Sequence, residues 1–496
     1  MKERFSKTMP RAIALMLACV MLLMCFVSCG KDDGDGKDSS SNTVQAGSDS
    51  SRLPLTVQKE DNGGKEFTIY INSQHTNDLL GDMSTRVSQI RYQVNDSVED
   101  LLGIEIVYEE ALGNWANRKT FNNAIETMAL SDSSEYDIVW ANMSSTLSTT
   151  MLKGLYMDVN AIDAMKLESP WYVKNMQEEY ALNGKLYGVI GDASFTLYEQ
   201  MEVVFYNKDL LADYKIDDPI EKVESGEWYM EDLFESAKNI ASTDADTYTG
   251  AIGEDNVGLV WDCVAGRYMT TAWNLSLVER DNTGKVYIAE TPSQRLVDIY
   301  DYIYDKIDNS GGSVLTPGDI KIITDNFMSG KVAFALTNLG KGSDIRESKF
   351  EYSIVPVPKI DEDQTDFVTA VGTSVVSIMV LKNVKDASLS GKVIEAFSYY
   401  SHYDGVPQFY DIILKLQYAQ DGQFGDILDM IRDKAELPFS VVFSTELKPI
   451  LTEIFQMNEA YRYGSVGASL PTFWAMKKGS WQSAVDGIYK AVEQLG

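Results

Sequence analysis

Trp140 and Asn142 are the side chains of this sequence best suited to contact a small polar molecule. They end the run 136–142 (YDIVWAN), whose apolar centre predicts a buried strand. Loops at the carboxyl ends of parallel strands collect aromatic faces and hydrogen-bonding groups, so we predict both residues to bind a ligand. An indole offers a flat apolar face, and an amide bonds hydroxyl groups. The alternatives are that Trp140 packs in the core and that Asn142 caps the following helix.

Chemistry that depends on histidine is poorly represented in the chain. His75 and His402 are the only 2 His among 496 residues, too few for a zinc site or for His-assisted nucleophilic catalysis. The G-x-S-x-G, P-loop and H-E-x-x-H patterns do not occur. The 74 acidic residues allow many carboxylate pairs, so no pair specifically predicts glycoside hydrolysis. We predict no metal, no cofactor and no catalysis.

Residues 1–29 predict a lipoprotein signal peptide. Positively charged residues precede an apolar run at 12–27, and Ser28 and Cys29 follow it. We expect cleavage before Cys29, whose two acyl chains would hold the protein on the outer face of the cell membrane. The alternative is an uncleaved anchor helix, although the run is near the lower length limit for crossing a bilayer.

Composition predicts a globular protein of two or more domains behind a flexible leader. The chain is 44% hydrophobic and 11% aromatic, which is enough to bury substantial cores. Residues 30–64 contain almost no large apolar side chain, and we predict a disordered tether there. The net charge of -31 argues against a nucleic acid partner.

Predicted strands and helices alternate along the chain. Apolar runs predict strands at 67–71, 104–108 and 136–140, and helical periodicity predicts helices at 87–101 and 121–130. Similar alternation returns in the second half, where strands are predicted at 332–336 and 372–381. Alternation of this kind predicts doubly wound, parallel sheets in two α/β bodies.

Short segments that follow one another at characteristic spacing add a resemblance to a known family. They are 137–142 with 154–159 (GLYMDV), 183–189 (NGKLYGV) with 205–211 (FYNKDLL), and 327–334 (FMSGKVAF) with 355–359 (VPVPK). Together they resemble the family 1 extracellular solute-binding proteins, the maltose-binding-protein-like sugar receptors of bacterial ABC importers. The resemblance covers roughly residues 66–496.

The resemblance implies an α/β fold of type II, like that of periplasmic binding proteins. Two doubly wound lobes would be joined by hinge strands, with a ligand cleft between them. The N-terminal lobe would comprise 65–195 and 372–430, and the C-terminal lobe 196–371 and 431–496. The chain would cross between the lobes near 191–202 and 367–373.

The resemblance also implies ligand-binding residues, by their match to motif positions of the family: Glu199, Gln200, Trp261, Asp262, Asn338, Phe473 and Trp474. Glu199 and Gln200 match the hinge carboxylate that contacts sugar. Trp261 and Asp262 match the aromatic-bearing loop of the second lobe, and Phe473-Trp474 matches a late Phe-Trp pair whose tryptophan stacks on sugar. Asn338 stands in a segment where many members carry tryptophan, and it would offer hydrogen bonds instead.

The function implied is capture of a small solute, expected to be an oligosaccharide, and its delivery to an ABC permease that a cytoplasmic ATPase drives. The lipid-anchored protein would act as a monomer and close over its ligand. One alternative is an anchored glycan-active enzyme that uses Glu199 and Asp262 as acid and base. Others are a surface adhesion or sensing protein and, within transport, a peptide or polyamine ligand.

Overall fold

The computed structural model describes residues 52–75, 79, 86–240, 245–247, 249–262, 265–413, 423–447, 454 and 469–495. The predicted signal peptide 1–29, its lipidation site Cys29 and residues 30–51 of the predicted tether lie outside these ranges. Pro54–Gly496 pack as one unit. Within the described part of the chain, no helix is both long and apolar enough to cross a membrane.

Short strands alternate with helices over the described residues. The strands are β1 Lys65–Asn72, β2 Ile104–Ala111, β3 Ile138–Asn142, β4 Glu202–Asn207, β5 Val257–Trp261, β6 Glu279–Arg280, β7 Val286–Tyr287, β8 Val314–Leu315, β9 Val332–Asn338, β10 Tyr352–Pro356, β11 Thr369–Ala370, β12 Val376–Met379 and β13 Ala435–Glu436.

The helices are α1 Arg86–Leu102, α2 Arg118–Ala129, α3 Ser148–Met151, α4 Lys174–Tyr180, α5 Thr196–Glu199, α6 Lys208–Asp213, α7 Pro219–Ser225, α8 Met230–Asn239, α9 Met269–Ala272, α10 Gln294–Asp308, α11 Ile320–Met328, α12 Gly342–Ile345, α13 Ala387–Tyr400, α14 Val406–Ile413, α15 Gln423–Asp433, α16 Phe439–Val442 and α17 Leu470–Glu493. Short 3₁₀ turns occupy Ser73–His75, Val159–Ala161, Ala265–Tyr268 and Leu339–Lys341, and π-helical turns occupy Met143–Leu147 and Ser401–Gly405.

The first sheet has the strand order β12-β3-β1-β2. β1 pairs in parallel with β2 and with β3, as the alternation of strands and helices predicts. β12 pairs antiparallel with β3, so the prediction of an entirely parallel sheet is wrong for this strand. β12 follows a crossing from the other sheet and needs no helix to return it, which permits the opposite direction. We call the body built on this sheet the first lobe.

The second sheet has the order β10-β4-β9-β5-β8, and the body built on it is the second lobe. β5 runs parallel to β9 and β8, whereas β4 is antiparallel to β9 and β10. The start of β4 therefore lies at the same edge as the ends of β5 and β9. Glu202 pairs opposite Asn338 at this edge, and Trp261 lies opposite Leu336 on the adjoining pair.

Extended segments connect the two lobes side by side. Met201 forms a bridge with Val371, and β11 pairs in parallel with β13. The Gly372 amide donates to the Gln200 carbonyl over 2.8 Å, which continues this ribbon toward the first sheet. These contacts fall within the predicted crossings 191–202 and 367–373, and β13 supplies a further strand to the hinge.

Two predicted boundaries need correction. Residues 57–64 were predicted as tether, yet Val57 is buried and the Glu60 amide donates to the Leu101 carbonyl over 2.8 Å. The predicted tether 30–64 therefore ends before Val57, because the last turn of α1 supplies partners for the backbone.

Phe439–Leu447, predicted in the C-terminal lobe 431–496, packs on the first lobe: α16 contacts α4, and the Thr149 hydroxyl donates to the Glu446 carboxylate over 2.7 Å. The other predicted lobe boundaries stay predictions.

Candidate functional site

A cleft of about 590 Å³ lies where the two lobes face each other. The carboxyl ends of β1, β2 and β3, the start of β12 and the turn that follows β5 all border it. Its lining is polar and rich in hydroxyl groups: Gln74, Gly113, Trp115, Asn142, Ser144, Ser145, Arg267, Thr373, Ser374, Ser444 and Thr445. A cleft of this volume can enclose a small molecule.

Asn72, the last residue of β1, organises the first-lobe wall of the cleft. Its buried amide donates to the Gly113 carbonyl over 3.2 Å and to Asn142 Oδ1 over 2.6 Å, and it accepts from the Gly113 amide over 2.9 Å. A Cβ added to Gly113 would lie 2.8 Å from Asn72 Cγ, so this approach requires glycine. His75 Nε2 also lies 3.1 Å from Asn142 Oδ1. Asn72 thus joins the carboxyl end of β1 to the segment after β2 and to the end of β3.

Serine and threonine hydroxyls form the base of the cleft. The Ser144 hydroxyl donates to the Thr373 carbonyl over 2.9 Å, and the Thr445 hydroxyl donates to the Ser144 carbonyl. Ser145 also lines the cleft and is 7% exposed. A hydroxyl group that borders a cleft can donate to and accept from a bound polar molecule.

Trp115 is the aromatic side chain that the cleft exposes. Its ring is 59% exposed, and the guanidinium carbon of Arg118 lies 3.6 Å from the ring centroid. A cation over one face fixes the orientation of the indole. The exposed remainder of the ring is an apolar surface on which the flat side of a ligand can stack.

The second-lobe wall carries an ionised cluster around Arg267. Burial and, secondarily, the negative charge of Asp262 raise the pKa of Glu202 well above its ordinary value, while Arg267 acts in the opposite direction. Glu202 Oε2 has no hydrogen-bond partner within the described structure. The Tyr268 hydroxyl and the Thr373 hydroxyl lie 2.8 Å apart and link this wall to the first lobe. Burial therefore disfavours the ionised form of Glu202.

Replacing Glu202 with glutamine is expected to remove a pH dependence of stability. The pKa of Glu202 is higher in the folded protein than its ordinary 4.5, so its stabilising contribution is complete below about pH 4.5 and is lost as the pH rises through the folded pKa. Glutamine keeps the size and stays neutral, so Glu202→Gln should be more stable than wild type at pH 8 by about 1 kcal/mol or more. Urea unfolding at pH 5 and pH 8 measures this difference.

Glu224→Gln is the matched control for this experiment, because Glu224 is exposed on α7. We expect it to leave the pH profile within about 0.5 kcal/mol of wild type. Identical profiles for wild type and Glu202→Gln would show that Glu202 is ionised in the folded protein and would contradict the prediction.

The predicted polar residues occupy different positions relative to the cleft. Asn142 lines the cleft directly. Gln200 lies beside Gly372, where an added Cβ would stand 2.7 Å from its Oε1. Glu199 and Asn338 both approach Gly340, and Asp262 is buried at the end of β5 next to the Glu202 and Arg267 pair. Their contact with a ligand remains a prediction.

The predicted aromatic residues lie in the cores of the lobes. Trp140 is fully buried, and its ring meets Phe397 of α13 edge-on at 6.1 Å. Trp261 packs edge-on against Trp273 at 6.1 Å. Phe473 and Trp474 are buried on α17, where the Trp474 indole donates to the Ala289 carbonyl over 2.9 Å. This placement matches the core alternative weighed for Trp140, and this conformation does not support stacking of these four rings on a ligand.

Several cleft residues were missed by the sequence reasoning. Asn72 ends β1 and Trp115 follows β2, so both lie at the carboxyl ends of parallel strands. The prediction that residues at such ends bind a ligand, made for Trp140 and Asn142, therefore covers them as well. Ser145 and Arg267 carried no comparable signal, since isolated serine and arginine residues are common on any surface. Thr445 lies 301 positions from Ser144 in the sequence, and no local sequence pattern indicates that the two residues meet at the cleft.

Comparison with known proteins supports the two-lobed fold described above. A sequence model of the bacterial extracellular solute-binding proteins matches residues 102–397. The maltose/maltodextrin-binding domain MalE from Bdellovibrio bacteriovorus, solved bound to maltotriose, has a similar structure with a TM-score of 0.50 and 15% sequence identity. The similarity covers 86% of this chain and 99% of that one. It confirms the predicted two-lobed fold of type II. No curated protein sequence matches this chain.

Proposed function

Because this chain belongs to the family of bacterial extracellular solute-binding proteins, we propose that it captures a sugar in the cleft between its lobes and delivers it to an ABC permease. Family and fold are those of extracytoplasmic substrate-binding proteins, not of enzymes. The cleft lined by Trp115 and by serine and threonine residues is the observation that supports a sugar. A pyranose presents both an apolar C–H face and hydroxyl groups, so it matches a cleft that offers one exposed indole and many polar groups.

Both lobes contribute residues to the cleft, so we expect the ligand to be captured by closure of the lobes. Arg267 lies on the second lobe, whereas Asn142, Ser145 and Trp115 lie on the first. A ligand that contacts both walls favours the conformation in which they are close together, and it shifts the population toward that state. The closed form would then dock on the permease, which a cytoplasmic ATPase drives.

The proposed location follows from the N-terminal sequence. Lipidation of Cys29 after cleavage of the signal peptide 1–29 would place the protein, as a monomer, on the outer face of the cell membrane. Such an anchor keeps a receptor close to its permease. Metabolic labelling with a palmitate analogue, lost in Cys29→Ala, tests this part of the proposal.

Sugar binding and closure are tested together by a screen followed by scattering. We expect at least one oligosaccharide in a panel to raise the melting temperature, because a ligand that binds only the folded state stabilises it. The same sugar should lower the radius of gyration measured by small-angle X-ray scattering. A sugar that binds without any change in compactness would refute closure, and a panel of peptides that binds where all sugars fail would refute the ligand class.

A further inference from the structure

A second cavity, of about 410 Å³, lies between the lobes and apart from the cleft. Helix α4 of the first lobe, the segment 270–280 of the second lobe and residues 436–440 beyond the hinge strand β13 surround it. None of its lining residues belongs to the lining of the cleft. A molecule bound here would touch both lobes and the hinge at once.

Carboxylates dominate the charge of this cavity. Glu178, Glu179 and Glu436 line it, against Arg280 as the single cationic side chain among the described lining residues. Glu179 is already satisfied: it accepts from Arg280 over 2.8 Å and from the Phe439 amide over 3.1 Å. Glu178 and Glu436 form no ion pair within the described part of the chain. The nearby Lys434 ammonium pairs with Asp366 over 3.0 Å instead. The cavity thus holds two carboxylates without an ion-pair partner in the described structure, the exposed Glu178 and the half-buried Glu436.

The environment of Glu436 makes this lack of a cation unfavourable. Burial is the main cause that raises the pKa of Glu436, the negative charge of Glu179 adds to it, and the Lys434 charge acts in the opposite direction without outweighing them. A positive charge placed in the cavity would offset both effects, since it favours the ionised form of a desolvated carboxyl.

A buried hydroxyl without a partner provides an independent indication of a ligand. The hydroxyl of Thr271, which lines the cavity, is buried and has no hydrogen-bond partner among the described residues. Buried polar groups are normally satisfied, so such a hydroxyl beside a cavity is unusual. Thr270 and Ser440, 2% and 4% exposed, also line the cavity and add hydroxyl groups to it.

The shape and chemistry of the lining favour an organic cation over a metal ion. Over the described residues, no group of three His, Cys, Asp or Glu side chains is close enough to hold a metal ion. Leu275, Leu437 and Phe439 contribute apolar surface between the polar groups. An aliphatic amine combines N–H donors for separated carboxylates and hydroxyls with methylene groups for the apolar surface.

We propose that this cavity binds a small aliphatic diamine, with one ammonium group at Glu436 and Glu178 and its remaining N–H donors directed to the hydroxyls of Thr271 and Ser440. The cavity is separate from the cleft, so the inference does not rest on the identity of the transported solute. The chain from Arg267 to Thr271 borders both sites, because Arg267 lines the cleft while Thr270 and Thr271 line this cavity. Diamine binding should therefore affect the relative arrangement of the two lobes, which the cleft ligand also affects.

Isothermal titration calorimetry of the full-length protein with 1,4-diaminobutane tests the proposal. We expect saturable binding, and no binding of 1,4-butanediol, which has the same chain length without charge. The double variant Glu178→Gln with Glu436→Gln should bind the diamine at least about tenfold more weakly, because charge-assisted hydrogen bonds are lost. Glu224→Gln, which changes an exposed carboxylate on α7, should bind like wild type.

Thr271→Val guards against effects of misfolding. Valine keeps the volume and removes a hydroxyl that has no partner to lose, so the melting temperature should not fall while diamine affinity does. The proposal is overturned if the diamine does not bind, if butanediol binds equally, or if the Gln double variant retains wild-type affinity. It is also overturned if Trp115→Ala, a change in the cleft, abolishes diamine binding, because the amine would then occupy the cleft.

Discussion

Asp192→Ala is expected to lower the free energy of unfolding by about 3–5 kcal/mol, the range for removing one partner of a buried ion pair. Asp192 is completely buried on the predicted crossing 191–202. Its carboxylate accepts hydrogen bonds from the Tyr198 hydroxyl over 2.5 Å and from Arg432 over 3.1 Å, and it lies 2.5 Å from His402 Nδ1. Removal of the carboxylate leaves these donors without their shared acceptor.

The Asp192 carboxylate joins segments that are far apart in sequence. Tyr198 belongs to α5, His402 to the π-helical turn Ser401–Gly405 after α13, and Arg432 to α15 just before the hinge strand β13. The Arg432 guanidinium also donates to the Pro170 carbonyl over 3.1 Å. The network therefore attaches α15, and with it the hinge strand β13, to the first lobe. Its loss should affect global stability more than any single surface pair.

Urea unfolding of wild type and variants measures this effect. Asp213→Ala, an exposed aspartate at the end of α6, is the matched control and should change stability by less than about 0.5 kcal/mol. Asp192→Asn retains hydrogen-bonding groups but not the charge, so its loss should fall between the two. A loss for Asp192→Ala no larger than that of the control would show that the network contributes nothing to stability.

Trp140→Ala and Trp115→Ala should have opposite consequences. Trp140 is fully buried in the first lobe, so its truncation creates a cavity and should lower the free energy of unfolding by about 3–5 kcal/mol. Trp115 is exposed in the cleft, so Trp115→Ala should change stability by less than about 0.5 kcal/mol. Loss of its stacking surface should instead weaken sugar binding by about 2 kcal/mol, which is roughly 30-fold in Kd.

The pair of variants separates the two roles that a tryptophan near the cleft can have. Calorimetry with a sugar from the screen gives the affinity, and urea unfolding gives the stability. Near-wild-type affinity of the folded Trp140→Ala variant would agree with its core position. Strong loss of affinity in Trp140→Ala with unchanged stability would return Trp140 to the binding site and contradict the structure.

Local sequence patterns were sufficient for the elements of the first lobe. The apolar runs at 67–71 and 104–108 correspond to β1 and β2, and the helical periodicity at 87–101 corresponds to α1. Each of these patterns reflects burial of one element against its immediate neighbours, which hydrophobic periodicity records directly. The order of the family segments further predicted two lobes joined by a hinge, and the similarity to MalE confirms this fold.

Side-chain placement at the sheet edge could not be read in the same way. Trp140 and Asn142 are two residues apart on β3 and so share a face of the strand. Trp140 lies where Phe397 of α13 covers that face, whereas Asn142 stands at the last position of the strand and reaches the cleft. The sequence records the alternation of faces, but it does not record where the covering helix ends.

The sequence alone determined the net charge of -31, the alternation of strands and helices and the motifs of a solute-binding protein, and it predicted an export signal, because each of these depends on residue types or on contiguous residues. The tertiary structure decided which groups share the cleft, since Asn72, Asn142, Thr373 and Arg267 come from distant segments and two lobes. It also decided that Trp474 and Trp261 serve the cores and that Trp115 faces the cleft. Burial depends on what packs over a side chain, and the packing partners are distant in sequence.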